Sequence, residues 1–125
     1  MNVPQDLRYT KEHEWVRLDG DVATVGITDF AQGELGDIVF VEVETVGETL
    51  DADEVFGTIE AVKTVSDMYL PVAGEILEFN ESIEDDPEVV NQEPYGNGWI
   101  VKVKVSDPES VQTLMTAEAY TELIG

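Results

Sequence analysis

Val55-Phe56-Gly57-Thr58-Ile59-Glu60-Ala61-Val62-Lys63-Thr64-Val65-Ser66-Asp67-Met68-Tyr69-Leu70 is the stretch that decides the fold. It holds two β-rich runs, 55–60 and 65–70, with Ala61-Val62-Lys63-Thr64 between them. β-branched and aromatic residues suit a pleated, half-buried surface, and so short an interruption predicts that the runs pair as a hairpin. Pro71 and Gly74 bound the next turn, and Glu75-Ile76-Leu77-Glu78-Phe79 is again strand-like. Upstream, a strand is predicted over 37–44. Its unbroken run Ile38-Val39-Phe40-Val41 implies partial burial on both faces.

Further out the pattern repeats. Trp15-Val16-Arg17-Leu18 reads as a strand, Asp19-Gly20 as a hairpin turn and 21–27 as the returning strand. A short helix follows, capped by Thr28 or Asp29, with Gln32 three residues after Asp29, and stopped by Gly36. Residues 80–98 read as a long acidic connection. From 99 to 105 alternation puts Trp99, Val101, Val103 and Val105 on one face and Lys102 and Lys104 on the other. Ser106-Asp107-Pro108-Glu109 opens a helix, with a capping box from Ser106 to Glu109. Val111, Leu114 and Met115 fit one face of it, and Tyr120, Leu123 and Ile124 continue a helical tail after a break near Thr116. About seven short strands with helices mainly at the end imply a mainly β sandwich or barrel. The length, 125 residues, suits one domain, 1–125.

Charge narrows the function. There are 28 Asp and Glu against 6 Lys and Arg, a formal net charge of -22. Such a surface repels nucleic-acid phosphates and anionic lipid alike. No cysteine is present, so disulfides, thiolate catalysis and sulfur-ligated metal are excluded, and the single His13 cannot build a multi-histidine zinc site. No metal site, signal peptide or membrane span is expected, and a cytoplasmic monomer is the default. The acids are spread along the chain and mixed with apolar residues, as in a solvated coat. Their mutual repulsion would be screened at about 1 M salt, so the composition points to a halophile.

Basic residues are therefore informative by scarcity. Of four lysines, Lys102 and Lys104 lie on the polar face of a strand and Lys11 in the N-terminal lead-in, while Lys63 sits between two apolar β-runs. By position alone an exposed turn lysine is ordinary. Its neighbours are not. Glu60, Val62, Lys63, Ser66 and Asp67, with Gly57 upstream and Pro71 and Gly74 downstream, resemble the lipoylation site of the glycine cleavage system H protein family. The likeness extends to His13-Glu14-Trp15-Val16, to 22–29 with Ala31-Gln32 and Leu35-Gly36-Asp37, to Pro94-Tyr95 with Gly98-Trp99, and to Glu118-Ala119-Tyr120.

The resemblance implies a two-sheet hybrid barrel-sandwich of the lipoyl-domain type, with a short internal helix and a C-terminal helix. It implies a carrier, not an enzyme. Lys63 would bear lipoic acid through an amide, giving a long arm. The arm would take the aminomethyl group of glycine from a pyridoxal-phosphate glycine decarboxylase. It would pass that group to a tetrahydrofolate-dependent aminomethyltransferase and be reoxidised by an FAD-containing dihydrolipoamide dehydrogenase. The hard chemistry belongs to the partners' cofactors. In the family, Glu14 and Asp67 match positions that hold the cargo amine, as ionised carboxylates can. Glu12 stands where the family commonly has a small hydroxyl residue. It is either a third acceptor or part of the coat, and the coat is favoured. Glu60 is either read by the lipoylating enzyme or a plain edge-strand charge. Phe30 replaces a polar residue and is either a partner contact or a staple on the short helix. His13 receives no chemical role, and Trp15 and Trp99 are read as core aromatics. Val62 and Thr64 flank the lysine where biotin carriers usually have methionines. The lipoyl domains of 2-oxoacid dehydrogenases are shorter and commonly have Asp before the lysine. Two other roles remain open: a lipoyl relay to other apoproteins, and an unmodified acidic β-domain scaffold.

Overall fold

The computed structural model describes residues 2–125. In chain order it contains β1 (Arg8–Tyr9), β2 (Glu14–Asp19), β3 (Val22–Ile27), α1 (Asp29–Leu35), β4 (Ile38–Glu42), β5 (Thr49–Leu50), β6 (Val55–Ala61), β7 (Val65–Tyr69), β8 (Gly74–Phe79), α2 (Glu81–Asp85), α3 (Glu88–Gln92), β9 (Val101–Val105), a 3-10 helix (Pro108–Thr113) and α4 (Ala117–Ile124). The strands form two antiparallel sheets, one in the order β1-β2-β3-β9-β8-β5 and one in the order β4-β6-β7. Val25, Ile76 and Val103 of the first sheet share one buried core with Ile38, Phe56, Ile59 and Met68 of the second. Each such side chain gains about 1.5–3 kcal/mol by leaving water, which is what holds the sheets face to face. A second cluster, Leu7, Tyr9, Trp15, Ala117 and Tyr120, ties α4 to the first sheet, with the Tyr9 and Tyr120 rings stacked 4.8 Å apart. The two-sheet, mainly β architecture expected from the sequence is the one observed.

Local signals held where the cause was local. The β2–β3 hairpin pairs Asp19 with Val22, so the loop is Gly20-Asp21, one residue later than the dipeptide that signalled it, and Gly20 takes the positive φ of 67°. Thr28 caps α1 by accepting from the Ala31 N–H, and Gly36 ends it at φ 81°.

Elsewhere tertiary packing overrode the pattern. Val39 and Phe40 are both exposed, not half-buried, because the β4–β6 register shifts between Ile38 and Phe40 and turns both outward. The acidic connection holds two five-residue helices, α2 and α3. Asn80 caps the first by accepting from the Ser82 N–H, and Ile83 and Val90 anchor the pair in the core. Trp99 does not share the face of Val101. Ile100 and Val101 are both buried, so alternation breaks before β9, and the half-buried Trp99 ring lies under the Lys102 ammonium, 5.1 Å away. The helix expected after Ser106 is a 3-10 turn capped by Asp107, which accepts from the Glu109 N–H. Leu114 and Met115 are not helical: Met115 bridges Tyr9, with 2.9 Å bonds in both directions. Thr116 then caps α4, at the expected break.

Candidate functional site: the lysine hairpin and its cleft

Lys63 stands exposed at the tip of the β6–β7 hairpin. The Ala61 N–H donates to the Thr64 carbonyl at 2.7 Å and closes the turn. The Val62 N–H donates to the Asp37 carbonyl at 3.0 Å, which fastens the tip to the segment entering β4. A lysine so placed has its amine free and its backbone fixed. The side chain leans back towards Gly36: a Cβ there would lie 3.6 Å from the Lys63 Cε.

That bed is propped from below by Asn91 of α3. Its amide donates to the Gly36 carbonyl at 2.9 Å and to Gln32 Oε1 at 3.0 Å, and its Oδ1 accepts from the Ile38 N–H at 2.9 Å. Sequence reasoning missed Asn91, since nothing local distinguishes a polar residue in an acidic connection.

Beside the hairpin is a cleft of about 150 Å³, bounded by α1, the start of β2, and β7. Ile27, Ile59 and Met68 contribute apolar surface, and Glu12, Glu14, Glu34 and Asp67 bring four carboxyl groups. The structure thus brings together three acids singled out in the sequence. Asp67 and Glu12 are exposed, while Glu14 is only 3% exposed. Glu60 is not part of the cleft lining; it faces outward between Phe40 of β4 and Val65 of β7. Glu34 was missed. Once α1 is bounded, Ala31, Glu34 and Leu35 fall at i, i+3 and i+4 on one helix face, and all three line the cleft.

Glu14 is also a clasp between the sheets. Its Oε1 accepts from the Thr10 hydroxyl at 2.7 Å, and its Oε2 accepts from the backbone N–H of Tyr69, on the other sheet, at 3.2 Å. Loss of hydration pushes its carboxyl up to about 7. The bonds from Thr10 and Tyr69 oppose that rise, and the charges of Glu12 and Asp53 add to it.

His13 is a joint rather than a reagent. It holds φ 70°, its N–H donates to the Thr10 carbonyl, and its own carbonyl accepts from Thr28. Its Nδ1 lies 2.9 Å from the Tyr120 hydroxyl, which lies 2.7 Å from Oγ1 of Thr28, the α1 cap. Burial lowers the His13 pKa, partly opposed by Glu12 and Glu34. Phe30 packs edge-on against His13 with centroids 4.9 Å apart, so it steadies the same joint. Among the described residues no cluster of three or more His, Asp or Glu is arranged to hold a metal ion, and no helix is long and apolar enough to cross a membrane.

The family model described as glycine cleavage H-protein matches residues 7–125. The chain is 60% identical over 125 residues to the glycine cleavage system H protein of Bacteroides thetaiotaomicron, covering 100% of this chain and 99% of the relative. It is 65% identical over 127 residues, with the same coverage, to that of Chlorobium phaeovibrioides. The crystal structure of a glycine cleavage system H protein from Mycobacterium marinum matches at TM-score 0.90 and 41% identity, over 98% of this chain and 99% of that one. A match spanning both sheets, the hairpin and the cleft, at these identities, means that the chain belongs to the glycine cleavage H-protein family.

Proposed function

We propose that this chain is a lipoyl carrier of glycine cleavage, with lipoic acid joined to Lys63 by an amide, and that it performs no catalysis itself. The observation that carries the reading is the position of Lys63, exposed on a fastened hairpin tip beside a cleft lined by carboxyl groups, in a chain of this family. The residues fit the group: the amine is accessible at an exposed tip, and the lysine stem passes the Gly36 cap of α1 without crowding it. When bound, a lipoyl dithiolane would supply a disulfide whose opening lets one sulfur take up the aminomethyl unit and later release it, the other sulfur being left as a thiol.

The chain's own residues do the rest. The hairpin fixes the base of the arm. Asp67 and Glu14 offer carboxyl oxygens to a cationic amine entering the cleft, with Glu12 at the rim and Glu34 on the α1 side. Ile27, Ile59 and Met68 reduce the water around it. A cation beside Glu14 favours its ionised form and so offsets part of the cost of burying that charge.

The partners in this proposal are a pyridoxal-phosphate glycine decarboxylase, a tetrahydrofolate-dependent aminomethyltransferase, an FAD-containing dihydrolipoamide dehydrogenase and a lipoylating enzyme. Recognition of Glu60 by the last belongs to the same proposal. So do residues 1–125 as a single lipoyl-carrier domain, a cytoplasmic location and a monomeric state. Adaptation to high salt rests on the net charge of -22 alone.

The test is intact mass of the protein after incubation with a lipoate–protein ligase, lipoate and ATP, followed by glycine–bicarbonate exchange with glycine decarboxylase. One lipoyl increment on Lys63 and measurable exchange are expected, both lost in Lys63→Arg, whose guanidinium cannot be acylated in this way. Lipoylation without exchange would replace this reading with the relay role. An unmodified Lys63 would leave the scaffold role.

A further inference from the structure

No residue of α4 lines the cleft, yet one of its side chains is bonded to two of the cleft's walls. Tyr120 is fully buried, and its hydroxyl lies 2.9 Å from His13 Nδ1 and 2.7 Å from Thr28 Oγ1. His13 belongs to the first wall, between Glu12 and Glu14, and its φ of 70° is uncommon for a residue with a side chain. Thr28 caps α1, whose Ala31, Glu34 and Leu35 form the second wall. The backbone bond from the Thr28 N–H to the His13 carbonyl, 3.0 Å, pins the two walls at one point. The Tyr120 hydroxyl supplies a second, through side chains, and two points fix an angle where one leaves a hinge. Proton count sets the direction of the relay. Thr28 Oγ1 already accepts from the Ala31 N–H at 3.1 Å. Its own proton then goes to the Tyr120 oxygen, and the Tyr120 proton to Nδ1 of His13. The reverse order would leave a buried Thr28 proton without an acceptor, which is costly, and no buried side-chain nitrogen or oxygen lacks a partner among the described residues. Burial pushes the Tyr120 hydroxyl up to about 12, so it keeps its proton. Burial also lowers the His13 pKa, against the nearby charges of Glu12 and Glu34, so the imidazole is neutral at about pH 8.

Resting on the lipoyl-carrier reading, we propose that Tyr120 is a positioning residue for cargo retention: its hydroxyl, accepting from Thr28 and donating to a neutral His13 protonated at Nε2, sets the spacing between the Glu12–Glu14 segment and α1, and with it the fit of the cleft around a bound amine. The hydroxyl touches no cargo. It acts through the carboxyl groups it holds apart, Glu12 and Glu14 on one wall and Glu34 on the other. A hydrogen bond to ammonium weakens steeply as its geometry loosens, so a small change in that angle reads out as faster escape of the amine. The ring has a separate duty. Stacked on Tyr9 with centroids 4.8 Å apart, it seats α4 on the first sheet, and a phenyl ring would do this equally well. Ring and hydroxyl can therefore be tested apart.

The experiment has two readouts on the full, untagged chain. The first is the tautomer of His13, the only histidine, from its imidazole 15N resonances at about pH 8. Nδ1 should be unprotonated in the wild type, and its resonance should move in Tyr120→Phe as the hydrogen bond is lost. A protonated Nδ1 in the wild type would overturn the relay and needs no variant. The second is the lifetime of the lipoylated carrier after loading with glycine by glycine decarboxylase, followed as ammonia release once the decarboxylase is removed. Tyr120→Phe, checked for fold by circular dichroism, should shorten it about threefold to tenfold, the scale of one net hydrogen bond. Its lipoylation rate should stay within twofold of wild type. Thr28→Val should shorten the lifetime as well, and Thr28→Ser, which keeps the hydroxyl, should restore it. Val111→Ala, a buried site away from the cleft, should lower stability yet leave the lifetime within twofold. A wild-type lifetime in folded Tyr120→Phe, or equal shortening in Val111→Ala, would overturn the positioning role and leave the carrier role intact. Absence of lipoylation or of loading in the wild type would instead remove the carrier reading.

Discussion

Replacing Glu14 by Gln should stabilise the protein at about pH 8 and change little below about pH 4. The folded carboxyl titrates at about 7 against an ordinary value of 4.5, chiefly because burial strips its hydration. Below 4.5 it is protonated in both states and adds no cost. As pH rises from 4.5 to about 7, the unfolded chain releases the proton and the folded one retains it, so wild-type stability falls. Above about 7 both states are ionised and the loss levels off. At about 1.4 kcal/mol per pH unit, that gap amounts to roughly 3 kcal/mol, a large share of the 5–15 kcal/mol typical of a whole domain. Gln fits the site: its carbonyl can face the Tyr69 N–H, and its amide can donate to the Thr10 hydroxyl oxygen. The assay is urea denaturation of both proteins from about pH 4 to 9 at constant molar salt, which screens the remaining acids. The advantage of Glu14→Gln should grow by about 2–3 kcal/mol across the range, mostly between 4.5 and 7. A pH-independent difference would refute the assignment of a buried, costly charge to Glu14.

Three further outcomes are expected. Glu14→Ala with Asp67→Ala should leave lipoylation intact but shorten the lifetime of the glycine-loaded carrier. An unchanged release rate would deny the cleft acids that role, and Asp67→Ala alone is the cleaner probe because Glu14 also clasps the sheets. Gly26→Ala should destabilise by about 3 kcal/mol in urea denaturation, since its Cβ would lie 2.7 Å from the Trp15 indole and overpacking of this kind is costly. That indole is fully buried and fixed by donation to the Pro94 carbonyl at 2.8 Å, so a loss near zero would mean that it can move. Melting temperature should rise from low to molar salt as the -22 charge is screened, and a flat response in a salt titration would remove the case for salt adaptation.

The strands were legible because their cause lies in neighbouring residues. Alternation in β9, β-branching in β3 and glycine at the β2–β3 turn act over a few positions, and the structure obeys them. The misses share a different cause. α2 and α3 are five residues each, too short for helical periodicity to emerge, and they persist because Ile83 and Val90 are buried by distant strands. Met115 is extended because Tyr9, over a hundred positions away, offers both backbone groups. The β4 bulge turns two apolar side chains outward against the pattern. Those same outward residues lie on the strand that pairs with the first arm of the lysine hairpin.

The site divides along the same line. Lys63 was conspicuous because the chain has so few bases, and a rare residue carries information that a common one does not. Among 28 acids, type and spacing could not separate Glu14 from a coat residue, and only the family resemblance did. What distinguishes it physically is burial: the same carboxyl that is cheap in water becomes costly once the packed sheets strip its hydration, and the bonds from Thr10 and Tyr69 offset only part of that cost. That cost is a property of the assembled sheets, so it has no signature in the residues beside it. A buried charge held by two donors is most useful where a cation arrives to relieve it, because the relief adds to the cation's own binding. Glu14 is therefore costly to the empty fold in proportion to what it can return to an occupied cleft.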